Sequence, residues 1–141
     1  MSDLARPRRS VLYMPGAKAR ALEKARGLPA DSLILDLEDA VGPTEKVAAR
    51  ELVVQTLKEG GFGLREVTVR VNGLDTEWGE DDIKAVAAMG PDAIVVPKVN
   101  SAADLHAVEA LMDAAGAPAS TRIWAMMETP IGILNAREIA A

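Results

Sequence analysis

The sequence predicts an α/β fold of about five parallel βα units. Five short apolar runs alternate with helical patterns along the 141 residues. Such regular alternation implies parallel strands joined by right-handed crossovers. Charged and polar residues recur where the apolar runs stop: at Asp36-Leu37-Glu38-Asp39, at Arg70 and Asn72, at Pro97-Lys98 and at Glu128. An eight-stranded βα barrel needs roughly 250 residues. The pattern therefore fits either an open sheet or part of such a barrel, with strands expected in the order 1-2-3-4-5.

Ser10 to Met14 reads as the first strand. Pro15-Gly16 turns the chain, and about Lys18 to Arg26 is helical. The second strand is about Ser32 to Leu37. Pro43 opens a helix to about Glu59, with Val47, Val53, Val54 and Leu57 as its apolar stripe. Gly60, Gly61 and Gly63 end it. The third strand runs from about Glu66 to Val71. A loop over Asp75 to Asp82, with Trp78, leads into a helix from about Asp81 to Met89. The fourth strand is about Ala93 to Pro97. Ser101, with Asp104 three residues on, makes a capping-box pattern before a helix whose face is Leu105, Val108, Leu111 and Met112. Arg122 to Met127 reads as a fifth, buried strand. Thr129 is a natural N-cap and Pro130 a natural first residue for the last helix.

Alternate side chains of a strand share a face. Ile34, Asp36 and Glu38 fall together, as do Thr68, Arg70 and Asn72, and Trp124, Met126 and Glu128. Polar groups thus gather at strand C-termini, the edge where parallel α/β folds bind ligands.

Composition narrows the function classes. The chain is 49% hydrophobic and 26% charged, an ordinary globular balance with enough length for one domain over residues 1–141. A net charge of -5, with only Arg6, Arg8 and Arg9 clustered, argues against nucleic acid. No apolar run suits a membrane span and no signal peptide is visible. The absence of cysteine removes disulfides, thiolate zinc sites and cysteine nucleophiles, and fits a cytoplasmic protein. The one histidine, His106, lies within a helix, which disfavours imidazole metal sites and Ser-His relays.

Five motifs occur in order: Arg9-Ser10-Val11-Leu12-Tyr13-Met14-Pro15-Gly16, Leu35-Asp36-Leu37-Glu38-Asp39-Ala40-Val41, Arg70-Val71-Asn72-Gly73, Pro97-Lys98-Val99 and Met127-Glu128-Thr129-Pro130. Together they resemble the citrate lyase beta-subunit family, within the HpcH/HpaI aldolases, with malyl-CoA and methylmalyl-CoA lyases as relatives. The resemblance spans about residues 9 to 130 and implies a partial TIM (β/α)8 barrel, the N-terminal half of the fold. It implies a Mg²⁺-dependent carbon–carbon lyase acting on a CoA thioester of a hydroxy acid and yielding a keto acid and acetyl-CoA. It makes Glu128 a Mg²⁺ ligand and places a second ligand, an aspartate, and a lid segment beyond Ala141. The alternatives are a CoA-independent, Mg²⁺-dependent pyruvate-type aldolase and a non-catalytic assembly module.

Each site residue has a functional and a plainer reading. Glu128 is the metal and substrate candidate; otherwise it is a salt-bridged or capping glutamate. Arg70 is the candidate electrophile and substrate clamp, because its planar fork suits a carboxylate or enolate. Alternatively it pairs with Asp36, Glu38 or Glu128. Glu38 and Asp39 are catalytic candidates that orient metal waters or Arg70; in the plainer reading Asp39 faces solvent and Asp36 pairs with a lysine. Lys98 is a Schiff-base candidate or, more simply, an ion-pair partner. Lys18, with the Pro15-Gly16 turn, is the candidate CoA contact; a solvated helix face is the plain alternative. Open strand edges would favour association into a homo-oligomer.

Overall fold

The computed structural model describes residues 6–141, so residues 1–5 of the expected domain lie outside it. The strands β1 (Val11–Pro15), β2 (Ser32–Asp36), β3 (Glu66–Arg70), β4 (Ala93–Val96) and β5 (Arg122–Ala125) form one sheet in the order β1-β2-β3-β4-β5. All four pairings are parallel. The helices are α1 (Ala19–Ala25), α2 (Lys46–Glu59), α3 (Gly79–Ala87), α4 (Ala102–Ala114), α5 (Pro130–Leu134) and α6 (Ala136–Ala140). The expected α/β alternation and strand order are both present.

Strand alternation sorts the sheet into two faces. Leu33, Leu35, Val67, Val69, Ile94 and Val96 join Val53, Ile83, Val86 and Val108 from the helices in the main core. Each fully buried leucine or isoleucine there is worth about 1.5–3 kcal/mol relative to exposure. On the other face, Tyr13 stands level with Ile34, Ile34 with Thr68, and Asp36 with Arg70.

Several boundaries differ from expectation. Pro43–Glu45 is a 3₁₀ turn, and α2 begins only at Lys46. The buried residues of α2 are Lys46, Ala49, Val53 and Thr56, whereas Val47 is 51% exposed. Hydrophobicity misplaced this stripe because the most N-terminal buried residue is a lysine. The helix α3 starts at Gly79, before Asp81, and Asp82 is fully buried instead of lying in a surface loop. The expected buried fifth strand is shorter and half-exposed, because β5 is paired on one side only. Thr129 does cap α5: its Oγ1 accepts from the Gly132 amide at 3.0 Å, with Pro130 following. In the α4 cap, the Asp104 carboxylate accepts from the amides of Asn100 and Ser101.

The basic residues near the N-terminus hold the sheet's lower edge. Arg8 forms a two-pronged bond to the buried Glu66, which also accepts from Ser32 Oγ. Arg9 grips Asp31, and this hydrogen bond draws the Asp31 carboxyl down to about 2. Among the described residues, no helix is long and apolar enough to cross a membrane.

Candidate functional site

Asp36 ends β2 and Arg70 ends β3, directly opposite in register. Arg70 Nε and Nη2 each donate to one Asp36 oxygen at 2.8 Å. Both residues are buried. The Asp36 oxygens also accept from the amides of Glu38 and Ala40, each at 3.0 Å. Burial alone would raise the Asp36 carboxyl, but the Arg70 and amide hydrogen bonds outweigh it and hold the pKa below the ordinary value. The same hydrogen bond holds the Arg70 guanidinium above its ordinary value. Of the partners open to Asp36, the structure selects Arg70 and not a lysine.

Arg70 is thereby aimed. Its Cζ lies 4.7 Å from the Tyr13 ring centre, and the Tyr13 hydroxyl reaches Met126 Sδ at 3.5 Å. Glu38 Oε1 is 3.5 Å from Arg70 Nε, and Asp39 Oδ2 is 3.9 Å from Nη2. Nε and Nη2 carry the bonds to Asp36, which leaves Nη1 without an acceptor among the described residues. Tyr13 falls within the Arg9–Gly16 motif, and its place beside Arg70 follows from the strand register, which the sequence does not show.

Glu38 is 7% exposed. Its Oε2 accepts from Lys98 Nζ at 3.2 Å, while its buried Oε1 has no hydrogen-bond partner. Burial pushes the Glu38 carboxyl above the ordinary glutamate value, against the pull of Lys98 and with help from neighbouring Asp39. The hydrogen bond to Glu38 raises Lys98 in turn. Asp39 faces solvent, with 72% of its side chain exposed.

Lys98 links the two acids. Its backbone amide donates to Glu128 Oε1 at 2.8 Å, and its ammonium holds Glu38. Strand alternation would put Lys98 with Ile94 and Val96 on the helix-packing face. It escapes that face because its φ is +49°, unique among the described non-glycine residues. Glu128 itself is exposed, not buried. Around it the turns after β4 and β5 lock together: Val99 N donates to Met126 O, Thr129 Oγ1 to Asn100 Oδ1, and Asn135 Nδ2 to Asn100 O.

A cavity of about 780 Å³ opens beside this cluster, lined in part by Glu38, Asp39, Lys98, Asn72, Trp78 and Thr129. Arg70 and Glu128 do not line it; they meet its wall through Glu38 and Lys98. Pro15, Gly16 and Lys18 lie outside it as well. Gly16 has a packing role: a Cβ there would come within 2.6 Å of the Asp36 carbonyl, to which the Gly16 amide donates at 2.8 Å. Lys18 is exposed at the N-cap of α1 and makes no side-chain cap bond. Pro15 and Gly16 thus adjoin the acid–arginine cluster at Asp36, while Lys18 faces solvent.

The donors suit a hard cation in kind, since carboxylate oxygens are what Mg²⁺ prefers. Glu128 has one oxygen without a described donor, and Glu38 has a buried oxygen without one. Among the described residues no group of three or more His, Cys, Asp or Glu is placed to enclose a metal ion. One or two carboxylates with water and substrate is the usual protein share for Mg²⁺.

The HpcH/HpaI aldolase/citrate lyase family matches residues 9–141. The chain belongs to that family. It is 54% identical over 141 residues to a (3S)-malyl-CoA thioesterase of Cereibacter sphaeroides, covering all of this chain and 47% of that protein. It is 41% identical over 140 residues to the citrate lyase subunit beta of Escherichia coli, covering 96% of this chain and 46% of that one. The chain thus spans about half the length of the curated relatives it matches. Among solved structures, CitE from Mycobacterium tuberculosis in complex with magnesium, acetoacetate and coenzyme A superposes with a TM-score of 0.72 at 30% identity, covering 93% of this chain and 43% of that one. RipC from Yersinia pestis superposes with a TM-score of 0.70 at 33% identity, covering 94% and 52%. The expected family and partial-barrel fold are therefore established, and the chain corresponds to the N-terminal half.

Proposed function

We propose that the full-length protein carrying this chain is a Mg²⁺-dependent lyase that breaks or forms a carbon–carbon bond in the CoA thioester of a hydroxy acid. Cleavage would give a keto acid and acetyl-CoA. The observation that carries this reading is the aimed Arg70, locked on Asp36 with Glu38 alongside, next to the Lys98–Glu128 contact. Such a lyase must bind an anionic keto acid and stabilise negative charge on the departing thioester fragment. The Arg70 Nη1 group, pre-oriented and free to donate, suits that charge. Glu38, with its raised proton affinity, can hold a proton nearer neutrality than an exposed glutamate. Glu128, helped by Glu38 and Asp39 through water, would hold the cation. When bound, Mg²⁺ would polarise the keto acid's carbonyl. The citrate lyase relative and the neighbour bound to magnesium, acetoacetate and coenzyme A support this reading, and the malyl-CoA thioesterase supports the CoA-thioester substrate. Lys98 is committed to Glu38 as an ammonium, which favours metal chemistry over a Schiff base.

A second reading is thioester hydrolysis, favoured by the name of the Cereibacter relative. It differs in product: water releases free CoA thiol and the free hydroxy acid, with no carbon–carbon cleavage. Keto-acid release and thiol release, assayed together on hydroxyacyl-CoA thioesters with and without MgCl₂, separate the two. In the full-length protein, Glu128→Ala and Arg70→Ala should each lower turnover by about 10²-fold or more. Unchanged turnover in Glu128→Ala would remove Glu128 from the metal site. Thiol release without keto acid would replace the lyase with a hydrolase.

A further inference from the structure

Lys46 is a buried cation with no role in the chemistry above. It is 7% exposed at the start of α2, and no carboxylate among the described residues lies within ion-pairing distance of it. A buried ammonium without a counter-ion is costly unless its protons are all engaged. Its Nζ donates instead to two consecutive backbone carbonyls, Leu37 at 3.0 Å and Glu38 at 2.6 Å. These carbonyls belong to the turn that presents Glu38 and Asp39.

The same turn is gripped from other sides. Leu37 O also accepts from Asn72 Nδ2 at 2.9 Å. Asn72 is held in turn by Asp82, which accepts from its amide and side chain while receiving Arg50 Nε at 2.7 Å. Arg50 lies one turn along α2 from Lys46, on the same helix face. On the amide side, Asp36 accepts from Glu38 and Ala40. The acidic turn therefore has two of its amides tied to one buried carboxylate, and one buried ammonium bridges its Leu37 and Glu38 carbonyls, which also accept from Asn72 Nδ2 and the Val41 amide respectively. The Trp78 ring covers that ammonium, 5.5 Å from Nζ, and lines the cavity along with Lys46 and Glu38.

We propose that Lys46 is a positioning residue: its ammonium pins the Leu37–Glu38 backbone beneath Trp78 and so sets where the Glu38 and Asp39 carboxylates stand. A molecule filling the cavity touches both the Trp78 cover and the turn that Lys46 holds. The proposal depends on the lyase reading only for its kinetic consequence.

The test compares wild type with Lys46→Met, which keeps the stem and removes the charge, and with Lys46→Arg, which restores donors. Amide hydrogen exchange over residues 37–41 of the 141-residue chain is read against α4 as an internal control. In Lys46→Met, exchange over 37–41 should rise about tenfold or more beyond any change in α4. Lys46→Arg should recover part of the protection. If Lys46→Met does not fold, Lys46→Gln carries the same comparison. In the full-length protein, Lys46→Met should lower kcat about tenfold with KM within about twofold, the mark of misplaced reacting groups. Exchange over 37–41 rising no more than in α4 overturns the proposal, as does an unaltered kcat in a variant whose turn is loosened. If wild type shows no lyase turnover, the lyase reading fails, and the exchange comparison alone decides the positioning claim.

Discussion

At the residue scale, the site is organised by buried charge. Removing Arg70 would leave Asp36 buried with only amide donors. Breaking a buried pair by deleting one partner costs about 3–5 kcal/mol. Arg70→Ala should therefore lower the urea midpoint of the 141-residue chain by a corresponding amount, and Arg70→Lys should recover little, since an ammonium cannot match the two-pronged geometry. Equal stability of Arg70→Ala and wild type would show that the pair contributes nothing. Glu38 carries the opposite sign from Asp36. The Asp36 carboxyl is depressed, so its stabilisation is present above the unfolded carboxylate range and is lost as pH falls through its folded pKa. The Glu38 carboxyl is raised, so the folded state binds the extra proton and stability declines as pH rises above about 4.3, the ordinary glutamate value. Thermal melts of wild type and Glu38→Gln across that range should diverge, with the variant lacking this decline. Parallel curves would remove the burial of Glu38 as their cause. The ends of these arguments are legible in sequence: Arg70, Glu38, Asp39 and Glu128 stand where apolar runs stop, at strand C-termini. Their pairings are not, because Asp36, Glu38 and Glu128 are equally open partners for Arg70 until register puts Asp36 opposite it.

At the scale of elements, local signals located each βα unit and the first residues of β2 to β5, and missed other edges by one to three residues. The misses have physical causes. The Lys46 stem looks like surface to any hydrophobicity rule, yet its carbonyl partners bury it. Gly79 looks like a loop glycine, yet it opens α3, where any Cβ would collide with the Gly73 carbonyl. The left-handed turn at Lys98 breaks the alternation that sequence reasoning relies on. Gly132 gives a decisive sign. In a helix, alanine is favoured over glycine by about 0.8–1.0 kcal/mol. A Cβ at Gly132, however, would lie well inside contact distance of the Val99 carbonyl. Gly132→Ala should therefore be destabilising in a urea titration, against helix propensity. A gain in stability would mean that the turns after β4 and β5 are not locked together as described.

At the scale of the molecule, β1 and β5 each have a neighbour on one side only, and Val11, Leu12 and Tyr13 are each more than 40% exposed. Open apolar edges promote pairing with another chain. The polypeptide of residues 1–141 should therefore self-associate, with a mass by light scattering that rises with concentration. A monomer at all concentrations, with a cooperative melt, would show that these edges are shielded. The strand order has a further consequence. Each of β2 to β5 pairs with the strand just before it in the chain, so these four pairings need no distant partner. During synthesis each emerging βα unit can dock onto the edge left by its predecessor, from the N-terminus onward. The Asp36–Arg70 pair spans only β2 and β3, so the heart of the site can assemble once β3 has left the ribosome, before Glu128 has emerged.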